Sequence, residues 1–123
     1  MALHNTILVG HETGIYVYGI SSTLTMEATL WGAGAWANTQ DWDIDSGNVT
    51  SSTNVLGDPA FVDPDNGDYH IGSGSAAIDL GVNAGIDVDI DGQGRPAGGG
   101  YDIGADEYYE FAIYLPLALK NRP

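Results

Sequence analysis

The chain has 123 residues, enough for one domain with a true core, since a compact chain of this size buries roughly two-thirds of its unfolded surface. Seventeen acidic residues against three Lys and Arg give a formal charge of -14, which repels phosphate backbones and anionic bilayers, so no nucleic-acid or membrane-surface partner is expected. The absence of cysteine removes disulfides and thiolate metal sites, and no segment approaches the ~20 apolar residues needed to cross a bilayer, so no membrane insertion is expected.

The opening Met1-Ala2-Leu3-His4-Asn5-Thr6 lacks the basic start and long apolar run of a secretory signal. Ile7-Leu8-Val9 then arrives in mid-strand before any turn, so the chain reads as a fragment of a longer protein. Strand-like pieces follow at Gly14-Ile15-Tyr16-Val17-Tyr18 and Thr23-Leu24-Thr25-Met26-Glu27-Ala28, each bounded by turn-forming residues. Leu24, Met26, Ala28 and Leu30 alternate strictly with Thr25, Glu27 and Thr29, which predicts a strand with one face packed inward. A weak internal echo aligns Asn5-Thr6-Ile7-Leu8-Val9-Gly10 with Ala28-Thr29-Leu30-Trp31-Gly32 at an offset of 23 residues from Thr6 to Thr29, a period suited to a solenoid coil.

Residues 31–45 read as a long loop leaving the coil, in which Trp31, Trp36 and Trp42 are interleaved with Asp41, Asp43 and Asp45. Aromatic faces beside carboxylates can hold a sugar, the ring covering its C–H surface while oxygens take the hydroxyls. A polysaccharide is therefore a candidate ligand for Trp31, Trp36, Trp42, Asp41 and Asp43, although Trp equally fills solenoid cores. Asn48-Val49-Thr50 fits an N-glycosylation acceptor, a pattern short enough to arise by chance.

Further strands are expected at Ala60-Phe61-Val62, Asp68-Tyr69-His70-Ile71 and Ala77-Ile78-Asp79-Leu80. With 18 glycines and no helical periodicity, the composition is all-β and admits an antiparallel sandwich as readily as a solenoid. Hairpin-type turns, Asn66-Gly67 and Asp91-Gly92, occur only in the second half, whereas the first half carries the repeat.

The run Gly57-Asp58-Pro59-Ala60-Phe61-Val62-Asp63-Pro64-Asp65-Asn66-Gly67-Asp68-Tyr69-His70-Ile71, then Gly74-Ser75-Ala76-Ala77-Ile78-Asp79-Leu80-Gly81, resembles the terminal coils of bacterial right-handed parallel β-helix surface proteins of the pectin-lyase-like, choice-of-anchor type. The likeness continues through Asp89-Ile90-Asp91-Gly92-Gln93-Gly94-Arg95-Pro96 and Gly100-Tyr101-Asp102-Ile103-Gly104-Ala105-Asp106-Glu107-Tyr108. It implies a truncated right-handed parallel β-helix of about three to four coils over residues 1–108, with terminal coil and cap motifs at 57–108 and a strand or tail at 109–123. It also implies a parent protein that is secreted or held at the cell surface. The closing Tyr114-Leu115-Pro116-Leu117-Ala118-Leu119-Lys120 is expected to attach the protein or to lie across the open end of the helix, where Pro116 fits an edge position.

Two acidic clusters invite a metal. Asp87, Asp89 and Asp91 stand at alternate positions before Gly92, like the front half of an oxygen-lined calcium loop, but Gly98 occupies the place where the closing Glu would stand. On an extended strand these carboxylates would lie about 7 Å apart on one face. At an effective dielectric of ~20 each neighbouring pair would cost roughly 2 kcal/mol, so either water or a calcium ion must relieve them, or Arg95 pairs with one. The cluster Asp63, Asp65 and Asp68 is explained by its turn, in which Asp side chains accept their own N–H groups.

Catalysis is not expected. A polysaccharide lyase would use a basic residue, and only Arg95, Lys120 and Arg122 are present, while carboxylate pairs of glycosidase type arise by chance in so acidic a chain. His4, His11 and His70 show no metal-ligand spacing and read as surface or edge residues. The expected function is a non-catalytic structural and interaction module with an apolar ladder of Ile7, Val9, Ile15, Val17, Leu24, Met26, Leu30, Phe61, Ile71, Ile78 and Ile103. Its uncovered first coil predicts a homo-oligomer; the alternative is a carbohydrate-binding or remnant polysaccharide-degrading module built on residues 31–45.

Overall fold

Parallel pairing organises the first half of the chain. The computed structural model describes residues 1–110, and these are all-β, with seven strands and two short 3-10 turns at Gly34–Trp36 and Pro64–Asn66. In order they are β1 (Ala2–Leu8), β2 (Thr13–Val17), β3 (Thr23–Gly32), β4 (Gln40–Ile44), β5 (Asn48–Gly57), β6 (Phe61–Asp63) and β7 (Asp68–Ile71). One sheet has the order β1-β3-β5 and a second pairs β2 with β4, all parallel; β6 and β7 form an antiparallel hairpin. Thr6 lies beside Thr29, the pair marked by the internal echo, and Thr29 in turn lies beside Asn54.

Each strand of the first sheet turns a corner at the same level. Asn5, Ala28 and Thr53 stand in one column and carry φ of 49, 59 and 52 degrees, a conformation that L-residues with a Cβ seldom adopt. A single left-handed residue inverts which side of the strand the next side chains face. Before it, Leu24 and Met26 point into a core shared with Val17, Leu3, Ile15 and Val49; after it, Trp31 joins that same core together with Leu8. Leu30 points instead to the opposite side, into a second core with Ala28, Ile71, Ala77 and Ile103. The expectation of one buried face from Leu24 through Leu30 is thus corrected: the corner at Ala28 splits the row between two cores.

The second core explains where the second half of the chain goes. Past the corner, Ile7, Leu30 and Val55 present an apolar column, and Phe61, Ile71, Ala77, Ile78, Val82, Ile103 and Tyr108 cover it. Leu30 and Ile103 are wholly buried, each worth ~1.5–3 kcal/mol relative to exposure. Residues 57–108 therefore lie along the flank of all three stacked strands, because the column of outward apolar residues runs through all three.

Three further expectations change. Residues 31–45 are not one loop, since Gln40–Ile44 forms β4 and pairs with β2. The polar strand β5, with Thr50, Ser51, Ser52 and Asn54, was not foreseen at all; the parallel ladder to β3 orders it through backbone bonds that composition does not show. Ala77-Ile78-Asp79-Leu80 is a turn rather than a strand, closed by Ile78 N–H to the Ser75 carbonyl and by Asp79 at φ 61 degrees. Gly32 ends β3 where only glycine fits, since a Cβ there would sit 1.8 Å from the Trp36 carbonyl oxygen. The tail at 114–120, with Lys120 and Arg122, lies outside the described residues.

Candidate functional site

Each end of the strand stack carries an edge strand of both parallel sheets. At one end, β1 pairs only with β3 and β2 only with β4, so each leaves one side of its backbone unpaired by any described strand. The inward residues at this level, Leu3, Leu8, Ile15 and Val17, are apolar and belong to one core with Leu24, Met26 and Trp31. A groove of about 550 Å³ opens onto them, lined by Met1, Leu3, Ile15, Val17, Tyr18 and Leu24 among others. Tyr16 and Tyr18 stand at its rim, 59% and 71% exposed, with ring centroids 6.4 Å apart. At the far end, Ser51 and Asn54 lie over Met26 and Thr29 and bond one another, and Asn54 accepts the Trp31 indole N–H at 3.1 Å. Ser51 and Asn54 are accompanied at that end by the exposed Leu56, Trp42 and Ile44, and β4 and β5 likewise pair on one side alone.

The aromatic residues are divided between separate environments. Trp31 is buried and meets Trp42 at 5.7 Å, the latter 37% exposed. Trp36 lies on the other side, edge-on to Phe61 at 5.2 Å, which is itself edge-on to Tyr69 at 5.1 Å. A groove of about 660 Å³ beside Trp36 is lined by Phe61, Tyr69, His11, Ile90 and Asp106. Asp41 accepts from the Asn38 side chain at 3.0 Å, and Asp43 is exposed on β4 beside Tyr16. The five residues singled out for sugar binding do not converge on one surface, while Phe61 and Tyr69, not foreseen for this role, share a wall with Trp36.

The second half is held by carboxylates that accept backbone N–H groups. Asp89 takes those of Asp91 and Gln93 on Oδ1 and of Glu107 on Oδ2; burial works to raise its pKa, but these bonds outweigh burial and hold it below the usual range. Asp102 accepts from Asp79 and Tyr108, and Glu107 accepts from Ala97 and Asp102. Arg95 and Glu107 form a buried pair, Nε lying 2.9 Å from Oε2 without pointing its N–H at that oxygen, while the guanidinium donates to the Gly104 and Asp102 carbonyls. Arg95 thus pairs with Glu107, not with a member of the Asp87 cluster. Burial, with the Glu107 charge adding to it, pushes Asp102 up to about 6 against the bonds from Tyr108 and Asp79.

Asp87, Asp89 and Asp91 do not share a face. Their segment is a tight turn with Val88 bridged to Gly94; Asp89 is buried on its backbone donors, and Asp91 reaches across to His70. In the other acidic cluster Asp63 accepts from the Asn66 side chain at 2.8 Å, and Asp68 turns to His70. His70 is the meeting point: Nδ1 lies 2.5 Å from Asp68 and Nε2 lies 2.9 and 2.8 Å from the two oxygens of Asp91. The Asp91 contact first, and then that of Asp68, raises its pKa to about 9, and the same contact lowers that of Asp68. Asp106, 6% exposed, completes the group; its Oδ2 accepts the Ile71 N–H at 2.9 Å, and burial raises its pKa. Sequence spacing could not show this assembly, because its members come from β7, the 87–94 turn and the segment after Ile103.

Comparison with family models, with curated proteins and with solved structures finds no match to the chain.

Proposed function

We propose that the chain is a non-catalytic structural and interaction module: a short right-handed parallel β-helix, of the kind displayed on bacterial surfaces, that self-associates through its first coil. The observation that carries this reading is the apolar groove at the β1–β2 end, where Leu3, Ile15 and Val17 lie beside two strands with an unpaired edge. The parallel register of β1, β3 and β5, with the left-handed corner repeated at Asn5, Ala28 and Thr53, supports the β-helix; the sequence likeness over residues 57–108 supports the surface setting. An open edge offers N–H and C=O groups to another strand, and burial of Leu3, Ile15 and Val17 supplies the driving force. A second copy, apposed end to end, satisfies both.

Light scattering across a concentration series tests the proposal. A dimer that dissociates on dilution is expected, and a monomer at every concentration overturns it. A carbohydrate-binding reading draws on the aromatic wall of Trp36, Phe61 and Tyr69 beside its groove. Glycan-array binding that vanishes in Trp36→Ala and Tyr69→Ala would establish it, and an array with no signal would remove it.

A further inference from the structure

We propose that His70, Asp91 and Asp106 bind one divalent transition-metal ion of the zinc type, which staples the β6–β7 hairpin to the 87–94 turn and to the segment after Ile103. One ligand atom from each of the three lies within 4.8 Å of those of the others. Ligands at ~2.0–2.2 Å around a tetrahedral ion are mutually ~3.3–3.6 Å apart, so His70 Nε2 and the Asp91 oxygens, at 2.9 and 2.8 Å, part slightly to admit the ion, with water as fourth ligand.

Two features beyond proximity point to an ion. The first is the orientation of the imidazole: Asp68 holds Nδ1, and this directs Nε2 at Asp91. A carboxylate on the remote nitrogen of a ligating histidine fixes its tautomer and ring angle. The second is charge. Asp106 is buried within reach of His70 and Asp91. Asp68, Asp91 and Asp106 together outnumber the one positive charge that a protonated His70 supplies, and the buried Arg95 is engaged with Glu107. A dication held between these groups offsets that excess of negative charge.

The donor set selects the ion. One imidazole nitrogen with two carboxylates suits a borderline metal such as zinc, whereas calcium and magnesium take oxygen ligands in greater number. A groove of about 710 Å³ lined by Asp68, His70, Asp91, Asp106 and Tyr108 gives the ion access from solvent. Asp106 is fixed by the Ile71 N–H, so two of the three ligands are already oriented.

The test is calorimetric titration of ZnCl2 into the full chain stripped with chelator, with the melting temperature followed in parallel. One zinc per chain and a melting temperature that climbs with free zinc are expected, since an ion bound to the native state alone stabilises it. Asp91→Asn, at an exposed position and with its fold checked by circular dichroism, is expected to weaken binding at least tenfold, as is His70→Gln; a His4→Gln, His11→Gln variant is expected to bind as the parent does. Cobalt(II) in place of zinc is expected to give a visible absorption band that both site variants lose. No heat and no melting shift at millimolar zinc overturns the proposal. So does zinc binding that His70→Gln and Asp91→Asn leave unchanged, or a calcium response that survives His70→Gln.

Discussion

The Asn5 side chain grips the peptide of Val82 from both sides: Oδ1 accepts the Val82 N–H at 2.8 Å and Nδ2 donates to the Val82 carbonyl at 2.7 Å. The Asn5 carbonyl also accepts the Gly104 N–H at 2.8 Å, so one residue of β1 anchors two segments of the second half. Asn5→Ala removes both side-chain bonds, strands a partly buried peptide and places alanine at positive φ; a loss of about 2–4 kcal/mol is expected. Urea unfolding measures it, and Asn5→Gly, which tolerates the backbone, isolates the clamp. An unchanged midpoint in both variants would show that the anchor carries no stability.

The column of left-handed corners makes an opposite prediction. Thr53 is exposed and β-branched, at φ 52 degrees, whereas Asn5 in the same column is of a type that visits this region readily. Thr53→Asn is expected to stabilise the protein by about 0.5–1 kcal/mol, read as a higher urea midpoint at constant slope.

Arg95 and Glu107 are 5% and 0% exposed at their side chains, so neither charge can return to water when its partner is removed. Arg95→Met and Glu107→Gln are each expected to cost about 3–5 kcal/mol, and the double variant less than their sum. A double-mutant cycle that closes additively would separate the two residues energetically.

Asp102 sets a pH dependence of definite sign. Its pKa is raised by burial to about 6, above the unfolded value of 3.8, so the folded state holds the extra proton between those limits. Its contribution is fully present below about pH 4 and is lost as pH rises through 6, an effect on the order of 3 kcal/mol. Denaturation of Asp102→Asn at pH 4 and pH 7 tests this: the variant should be less stable at both, since the amide N–H2 meets a backbone N–H, but should lack this component of the pH slope.

At the β1–β2 end, Tyr16→Lys with Tyr18→Lys places two charges on the rim of the apolar groove without touching the buried residues. Sedimentation should then show the monomer favoured at least tenfold over the parent, with an unaltered circular dichroism spectrum. Unaltered association would move the interface elsewhere.

Much of the first sheet was legible in the residues. The alternation at Leu24 and Met26 marks an inward face, and the echo from Thr6 to Thr29 gives the register that β1 and β3 adopt. β5 was not legible, because Thr50, Ser51 and Ser52 carry no apolar period and are ordered by backbone bonds to β3. The His70 group was not legible either: Asp91 is 21 residues away from His70, and Asp106 lies 35 from the Ile71 N–H that holds it.

The sequence by itself determined the class of structure, because the period of two, the glycine-bounded runs and the charge of -14 are properties of neighbouring residues and of their sum. Only the tertiary structure decided which side of β3 Leu30 occupies, since one backbone angle at Ala28 reverses the faces without altering the pattern of residue types. Only it decided the roles of Asp89, Asp102 and Asp106 as well. A carboxylate is free in solution, acceptor of a buried N–H or candidate ligand according to what the chain folds against it, and these partners arrive from 18, 23 and 35 residues away.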